Sequence, residues 1–301
     1  MHDSVQSWGR LLRVSLAPTA VADVLCGIVL SGAEGRSARQ VLTLVGASLC
    51  VYHGGMVLND WADRRRDAET RADRPLPSGR ISAGAALSVA LIGLFGGPLL
   101  AATISPLAGL WVAGIAVLAA VYDLVGRGPW TGPLLLGLCR AANLSIGLVA
   151  LGVIARFQVL AWCAPLLYGL YVFTLSRLGR HEDGEAGPSS ATAPVRALHG
   201  LALWLLLVPF IPVTDAGWIG RGLAGLLALA AAFGLWRIAL TTATWGPPQV
   251  VAAMGCALRR MLVFSACLTL LTGTAWAFGV AALILFLYPV AWLLRGTFPP
   301  S

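Results

Sequence analysis

Long apolar runs separated by short arginine-bearing gaps set the pattern of this chain. Runs close to the ~17–25 residues that cross a bilayer as a helix cover 14–30, 40–58, 81–104, 107–124, 132–154, 159–178, 195–213, 218–240, 257–274 and 277–294. They predict an all-α, polytopic membrane bundle of ten helices, or nine if the closely spaced last two runs count as one.

The gaps orient the bundle. Arg64, Arg65, Arg66, Arg71, Arg74 and Arg80 fall in the gap 60–80, and Arg177, Arg180 and Arg196 fall in or beside the gap 179–194. Arg127, Arg237, Arg259 and Arg260 join the same side if the helices alternate, whereas the opposite side holds only Arg36, Arg39, Arg156 and Arg221. By the positive-inside rule the arginine-rich side is cytoplasmic. The two long polar gaps lie about 120 residues apart and predict two half-bundles sharing one cytoplasmic mouth, with lengths set by bilayer thickness.

Composition agrees. Of 301 residues 58% are hydrophobic and only 11% charged, against about 25% charged in soluble domains, and mean hydropathy is +0.81. The net charge is +8 and every basic residue is arginine. That charge does not point to nucleic acid, because the arginines sit in gaps between membrane runs, where topology explains them. Cys26, Cys50, Cys139, Cys163, Cys256 and Cys267 form no C-x-x-C pair and read as buried free thiols rather than a disulfide or metal framework. Arg10 and Arg13 precede a first run with no small-residue cleavage site, so it reads as a permanent helix rather than a signal peptide.

One gap carries chemistry. Asn59-Asp60-Trp61-Ala62-Asp63-Arg64-Arg65-Arg66-Asp67 begins where the second run ends. Asn59, Asp63 and Asp67 recur every four residues, which on a helix puts three oxygen-bearing side chains on one face about 12 Å long at ~1.5 Å per residue. Hard oxygen ligands in that number suit Mg²⁺, which completes its shell with water and substrate phosphates. Asp73-Arg74-Pro75-Leu76-Pro77-Ser78-Gly79-Arg80 follows. Its prolines end the helix and fix a turn that holds Arg74 and Arg80 near the carboxylates, where guanidinium forks bind phosphate.

Together these two segments, N-D-x-x-D-x-x-x-D and then Arg74-Pro75-Leu76-Pro77-Ser78-Gly79, closely resemble the first signature of the UbiA superfamily of intramembrane prenyltransferases. The resemblance runs over nearly the whole chain, including the start at Arg13-Val14-Ser15-Leu16-Ala17-Pro18. It is closest to the EboC-like branch, on Gly55-Met56-Val57-Leu58-Asn59-Asp60 and Gly137-Leu138-Cys139-Arg140-Ala141-Ala142-Asn143. It implies helices around a central cavity and a single domain spanning the chain. The implied reaction is Mg²⁺-dependent transfer of a prenyl group from an isoprenyl diphosphate to an acceptor that the sequence does not identify.

By position, the resemblance makes Asn59, Asp63 and Asp67 the first metal set, with Asp60 a further ligand or a residue that orients one. It places Asp63, Asp67, Arg74 and Arg127 in the catalytic machinery. Tyr122-Asp123-Leu124-Val125-Gly126-Arg127 resembles the family's tyrosine-plus-base loop, with Arg127 in place of lysine. Arg13, Arg64, Arg140, Asn143, Arg177 and Arg180 complete the expected substrate-binding set with Tyr122, Arg74 and Arg127. The family's second motif, D-x-x-x-D after the sixth helix, is absent: His181-Glu182-Asp183-Gly184-Glu185 has no two carboxylates four apart, and Glu182 is the candidate ligand there.

Polar groups inside membrane runs are costly and mark function by default. Asp23, His53, Arg140 and Asn143 are such groups. Asp23 with Arg140 reads either as an internal ion pair or as part of a substrate grip, and His53 reads as a satisfied core histidine. Trp8, Trp130 and Trp218 sit at run edges and read as interfacial belt residues, while Trp61 packs behind the metal motif. Two other functions stay open: a membrane terpene cyclase, and a non-catalytic binder or transporter of polyprenyl phosphates. The all-arginine, Ala/Gly/Leu-rich usage suggests a bacterial cell membrane.

Overall fold

A computed structural model describes residues 2–32, 35–126, 128–151, 162–181, 192–212 and 217–298. Among these all regular structure is helical: α1 (His2–Leu11), α2 (Ala17–Leu30), α3 (Ala38–Thr70), α4 (Ala83–Ala102), α5 (Pro106–Leu124), α6 (Thr131–Leu144), α7 (Ile146–Ala150), α8 (Cys163–Gly179), α9 (Thr192–Leu207), α10 (Trp218–Thr241), α11 (Pro247–Leu270) and α12 (Ala275–Thr297), with short 3₁₀ turns at Val14–Leu16 and Val208–Phe210.

Helix starts follow local chemistry. Ser37 Oγ accepts from the Gln40 amide while the Gln40 side chain accepts from the Ser37 N–H, both at 3.3 Å, a reciprocal cap for two orphan donors. Ser82, Ser105 and Thr274 cap α4, α5 and α12 in the same sense. Once started, α3 runs for 33 residues, about 50 Å at ~1.5 Å per residue. The hydrocarbon core is only about 30 Å thick, so the last turns of α3, which carry the acidic motif, project past it. The helix stops at Arg71, and the chain turns back through Ser78 N–H to Arg74 O (3.0 Å) and Ile81 N–H to Pro75 O (3.2 Å), with Gly79 at φ 73°.

Seven segments are long and apolar enough to cross a membrane: α3, α4, α5, α9 with its 3₁₀ turn, α10, α11 and α12. An eighth arises if α1 and the chain from Val14 to Leu30, bent by 50°, count as one crossing. Besides α1, which no run covers, and α3, which outruns 40–58, three runs differ from the helices. Run 132–154 breaks at Ser145 into α6 and the short α7. Run 159–178 yields α8, 17 residues long. Run 257–274 begins too late, because α11 already starts at Pro247 and Pro248, where a missing N–H costs nothing. The Gly246 N–H just before them donates to Gln249 Oε1 at 3.2 Å and so caps the start.

Two apolar clusters share α2. Ala22, Leu25, Cys26 and Val29 face a core built with α8 to α12, while Val24 and Ile28 face a second core built with α3, α4 and α5. Small residues bring backbones together, as in membrane bundles generally. A Cβ on Gly54 of α3 would lie 2.9 Å from the Ala90 carbonyl oxygen and the Leu94 nitrogen of α4. Large apolar side chains cover the outside, including Phe95 (68% exposed), Leu226 (67%) and Phe286 (65%). Such a surface is stable against lipid and not against water, so the chain is an integral membrane protein. Among the described residues all six cysteines are free; Cys26 and Cys267 are buried and the other four half-buried, less enclosed than the sequence reading expects.

Candidate active site

A cavity of about 790 Å³ opens between α2, α3, α5, α6, α8 and α11. The α3 side is a stripe of Tyr52, Met56, Asn59, Asp63, Asp67 and Thr70, spaced by three or four residues as one helix face requires. Arg66 and Arg71 line the cavity with this stripe. Leu136, Val172, Leu175, Leu258 and Met261 supply apolar wall.

Two carboxylates at the site have fixed partners. Arg74 Nη1 donates to Asp67 Oδ2 at 2.7 Å, and both side chains are 8% exposed. The turn after α3 makes this contact possible by folding Arg74 back over the helix end. Asn59 Nδ2 donates to Asp123 Oδ1 of α5 at 3.0 Å. With its amide nitrogen on Asp123, Asn59 has its carbonyl oxygen turned away from that carboxyl group.

Asp60 lies elsewhere. It is 3% exposed, does not line the cavity, and accepts from Arg13 Nη2 at 3.1 Å. Arg13 is the one non-glycine residue with positive φ (49°) among the described residues. That conformation is disfavoured for a residue with a Cβ, and here it puts Arg13 at the cavity wall and against Asp60. Tyr52 adds a hydrogen bond from its hydroxyl to the Arg13 carbonyl at 3.3 Å.

Of the remaining expected residues, Tyr122, Arg140 and Arg180 line the cavity. Arg64 and Arg177 do not. Arg64 stacks on Trp61 at 4.1 Å and donates to its carbonyl at 2.6 Å. Arg177 stacks on Trp130 at 4.0 Å and donates to Pro129 O at 2.6 Å. Asn143 is buried behind the wall, where its amide donates to Asp23 Oδ2 at 3.0 Å. Asp23 and Arg140 are paired at 3.1 Å. His53 is satisfied by the Leu12 carbonyl at 2.8 Å. Arg127 and Glu182, with Asp183 and Glu185, lie outside the described residues. At the mouth, burial and then the nearby Arg177 hold the His181 pKa below the ordinary histidine value.

Sequence reasoning missed Arg66, Arg71, Asp123 and the α11 wall. Arg66 was within reach of it, since it stands one turn from Asp63 on the same helix; Asp123 was not, since its role depends on α5 packing against α3.

Among the described residues no three His, Cys, Asp or Glu side chains gather into a metal cage. Two carboxylates and an amide on one stripe are instead an open donor set. This fits Mg²⁺, which binds through one or two carboxylates and keeps positions for water and phosphate oxygens.

The fold and site define a polytopic membrane protein whose cavity mouth combines carboxylates with arginines. The chain belongs to the UbiA prenyltransferase family, whose model matches residues 20–246. It is similar to the digeranylgeranylglyceryl phosphate synthase of Ignicoccus hospitalis, 29% identical over 248 residues covering 75% of this chain and 80% of that one. It is also similar to the 4-hydroxybenzoate octaprenyltransferase of Pseudomonas fluorescens, 27% identical over 68% of this chain and 72% of that one. A solved UbiA homologue from Archaeoglobus fulgidus bound to DMAPP and Mg²⁺ shares the fold, with TM-score 0.65 over 92% of this chain and 99% of that one, at 18% identity.

Proposed function

We propose that this protein transfers an isoprenyl group from an isoprenyl diphosphate to an acceptor inside the membrane, with Mg²⁺ as cofactor. The observation that carries the reading is the Asn59, Asp63 and Asp67 stripe facing an arginine-lined cavity at the end of a membrane helix. Relatives named as prenyltransferases support it.

In this reading Asn59, Asp63 and Asp67 would hold Mg²⁺, and the ion would supply positive charge for a departing diphosphate. Arg74, Arg180 and Arg127 bind phosphate oxygens, for which a planar guanidinium is suited. Tyr122 contributes a polar wall. The C–O bond at the prenyl carbon breaks and the diphosphate keeps the electron pair. The acceptor nucleophile forms the new bond to that carbon and passes its proton to the released diphosphate. The apolar wall of Leu136, Val172 and Met261 excludes water, which would otherwise capture the allylic cation.

The finer topology belongs to the same reading. Counting α2, the α6–α7 pair and α8 with the seven long segments gives ten crossings, and nine if one of the short ones is re-entrant. The arginine-rich mouth then faces the cytoplasm of a bacterial cell. Membership of the EboC-like branch rests on the two short segments around Met56 and Arg140.

The test is diphosphate release by purified protein from geranyl, farnesyl and geranylgeranyl diphosphates, with a panel of acceptors, with and without Mg²⁺. Mg²⁺-dependent release that Asp63→Ala abolishes is the expected result. Binding without any release across the panel would sink the enzyme reading and favour a lipid binder. Release of a hydrocarbon or alcohol with no acceptor present would identify a cyclase.

A further inference from the structure

Behind the cavity wall, a buried carboxylate of α2 is met by side chains of α6 and α8, and α3 braces one of them. Asp23 of α2 is fully buried. Its Oδ1 accepts from the Tyr168 hydroxyl of α8 at 2.6 Å. Its Oδ2 accepts from Asn143 Nδ2 of α6 at 3.0 Å and pairs with Arg140 Nη2 at 3.1 Å. Asn143 is itself fixed by Ser48 Oγ of α3, which donates to its carbonyl at 2.6 Å.

The two ends of this network differ. Both oxygens of Asp23 are in use. Arg140 directs Nη2 to Asp23 and, at 3.4 Å, to the Tyr168 hydroxyl, while its Nε is buried with no hydrogen-bond partner among the described residues. A guanidinium carries five donors, and Arg140 lines the cavity. A purely structural ion pair in a membrane interior is expensive and is readily replaced by apolar packing. Here the network instead presents a cation, oriented from behind, to the cavity.

Its depth separates it from the metal motif. Ser48 precedes Asn59 by eleven residues on α3, about 16 Å at ~1.5 Å per residue. Arg140 stands one turn from Asn143 along α6, on the side of the cavity-lining Leu136 and Pro133. The span from Arg140 to Asn59 along the helix axes is then about 12 Å, room for a small acceptor between them.

We infer that Arg140 anchors an oxyanion of the prenyl acceptor, a carboxylate or a phosphate, and that Asp23, Tyr168, Asn143 and Ser48 are positioning residues for it. This rests on the prenyltransfer reading. The acceptor's charged group sits at Arg140, and its nucleophile points toward the prenyl carbon at the metal motif.

The test measures binding to the full-length protein in nanodiscs, with Mg²⁺ and a slowly ionising thiolo analogue of geranylgeranyl diphosphate bound. The probes are matched pairs: 4-hydroxybenzoate against its methyl ester, and an alkylglycerol phosphate against the uncharged alkylglycerol. Wild type should bind at least one anion about ten- to a hundredfold tighter than its neutral partner, the range of a charge-assisted contact; which pair shows it assigns carboxylate or phosphate. Arg140→Gln alone strands a buried charge, so the informative variant is Asp23→Asn/Arg140→Gln, which removes both. It should erase the preference in a protein that still binds the diphosphate analogue, and Arg140→Lys should keep part of the preference. No preference in wild type, or a preference that survives in the folded double variant, overturns the anchor and leaves prenyltransfer standing. Failure of wild type to bind the diphosphate analogue overturns both.

Discussion

Asp123→Leu tests the orientation of Asn59. The substitution removes the carboxylate that accepts from Asn59 Nδ2 at 3.0 Å and leaves Asn59, Asp63 and Asp67 in place. A hydrogen bond to a charged group is worth about 1.5–3 kcal/mol, and each ~1.4 kcal/mol is tenfold in affinity. Loss of an orienting partner behind a metal ligand costs about 10–100-fold by the same logic. The Mg²⁺ concentration that half-saturates geranylgeranyl diphosphate binding should therefore rise by about 10–100-fold. Asp123→Asn keeps an acceptor oxygen without the charge and should fall between wild type and Asp123→Leu. The assay is a Mg²⁺ titration of radiolabelled diphosphate binding in nanodiscs, with thermal unfolding recorded for each variant. A folded Asp123→Leu protein whose midpoint stays within about twofold of wild type would refute the orienting role.

Arg74→Gln should lower both stability and diphosphate affinity, because it strands the buried Asp67; breaking such a pair costs about 3–5 kcal/mol. Adding Asp67→Asn should restore much of the melting temperature but not diphosphate release, and recovery of release would contradict the site. Gly54→Ala should destabilise by about 1–3 kcal/mol, since its Cβ would press on the α4 backbone at 2.9 Å. Thermal unfolding in detergent checks it, and an unchanged midpoint would show that the α3–α4 seam opens freely.

Parts of the site were legible because they are local. The four-residue spacing of Asn59, Asp63 and Asp67 fixes their common face wherever α3 packs, and all three line the cavity. The prolines after Arg74 similarly announce a turn, and the turn brings Arg74 to Asp67. Asp60 shows the limit. It belongs to the same motif, yet one residue of helix rotation, about 100°, takes it to another face, where Arg13 meets it. Arg64 and Arg177 carry the right charge for phosphate but find the faces of Trp61 and Trp130 instead.

The sequence by itself determined the membrane class, the helical architecture and the face of α3 that holds the acidic stripe, because hydrophobicity and helical period are properties of neighbouring residues. Only the tertiary structure decided which helices meet, and so which charges pair. Asp123 with Asn59, Arg13 with Asp60 and Arg140 with Asp23 join residues far apart in the chain. A buried charge must find a partner, but helix packing selects which one.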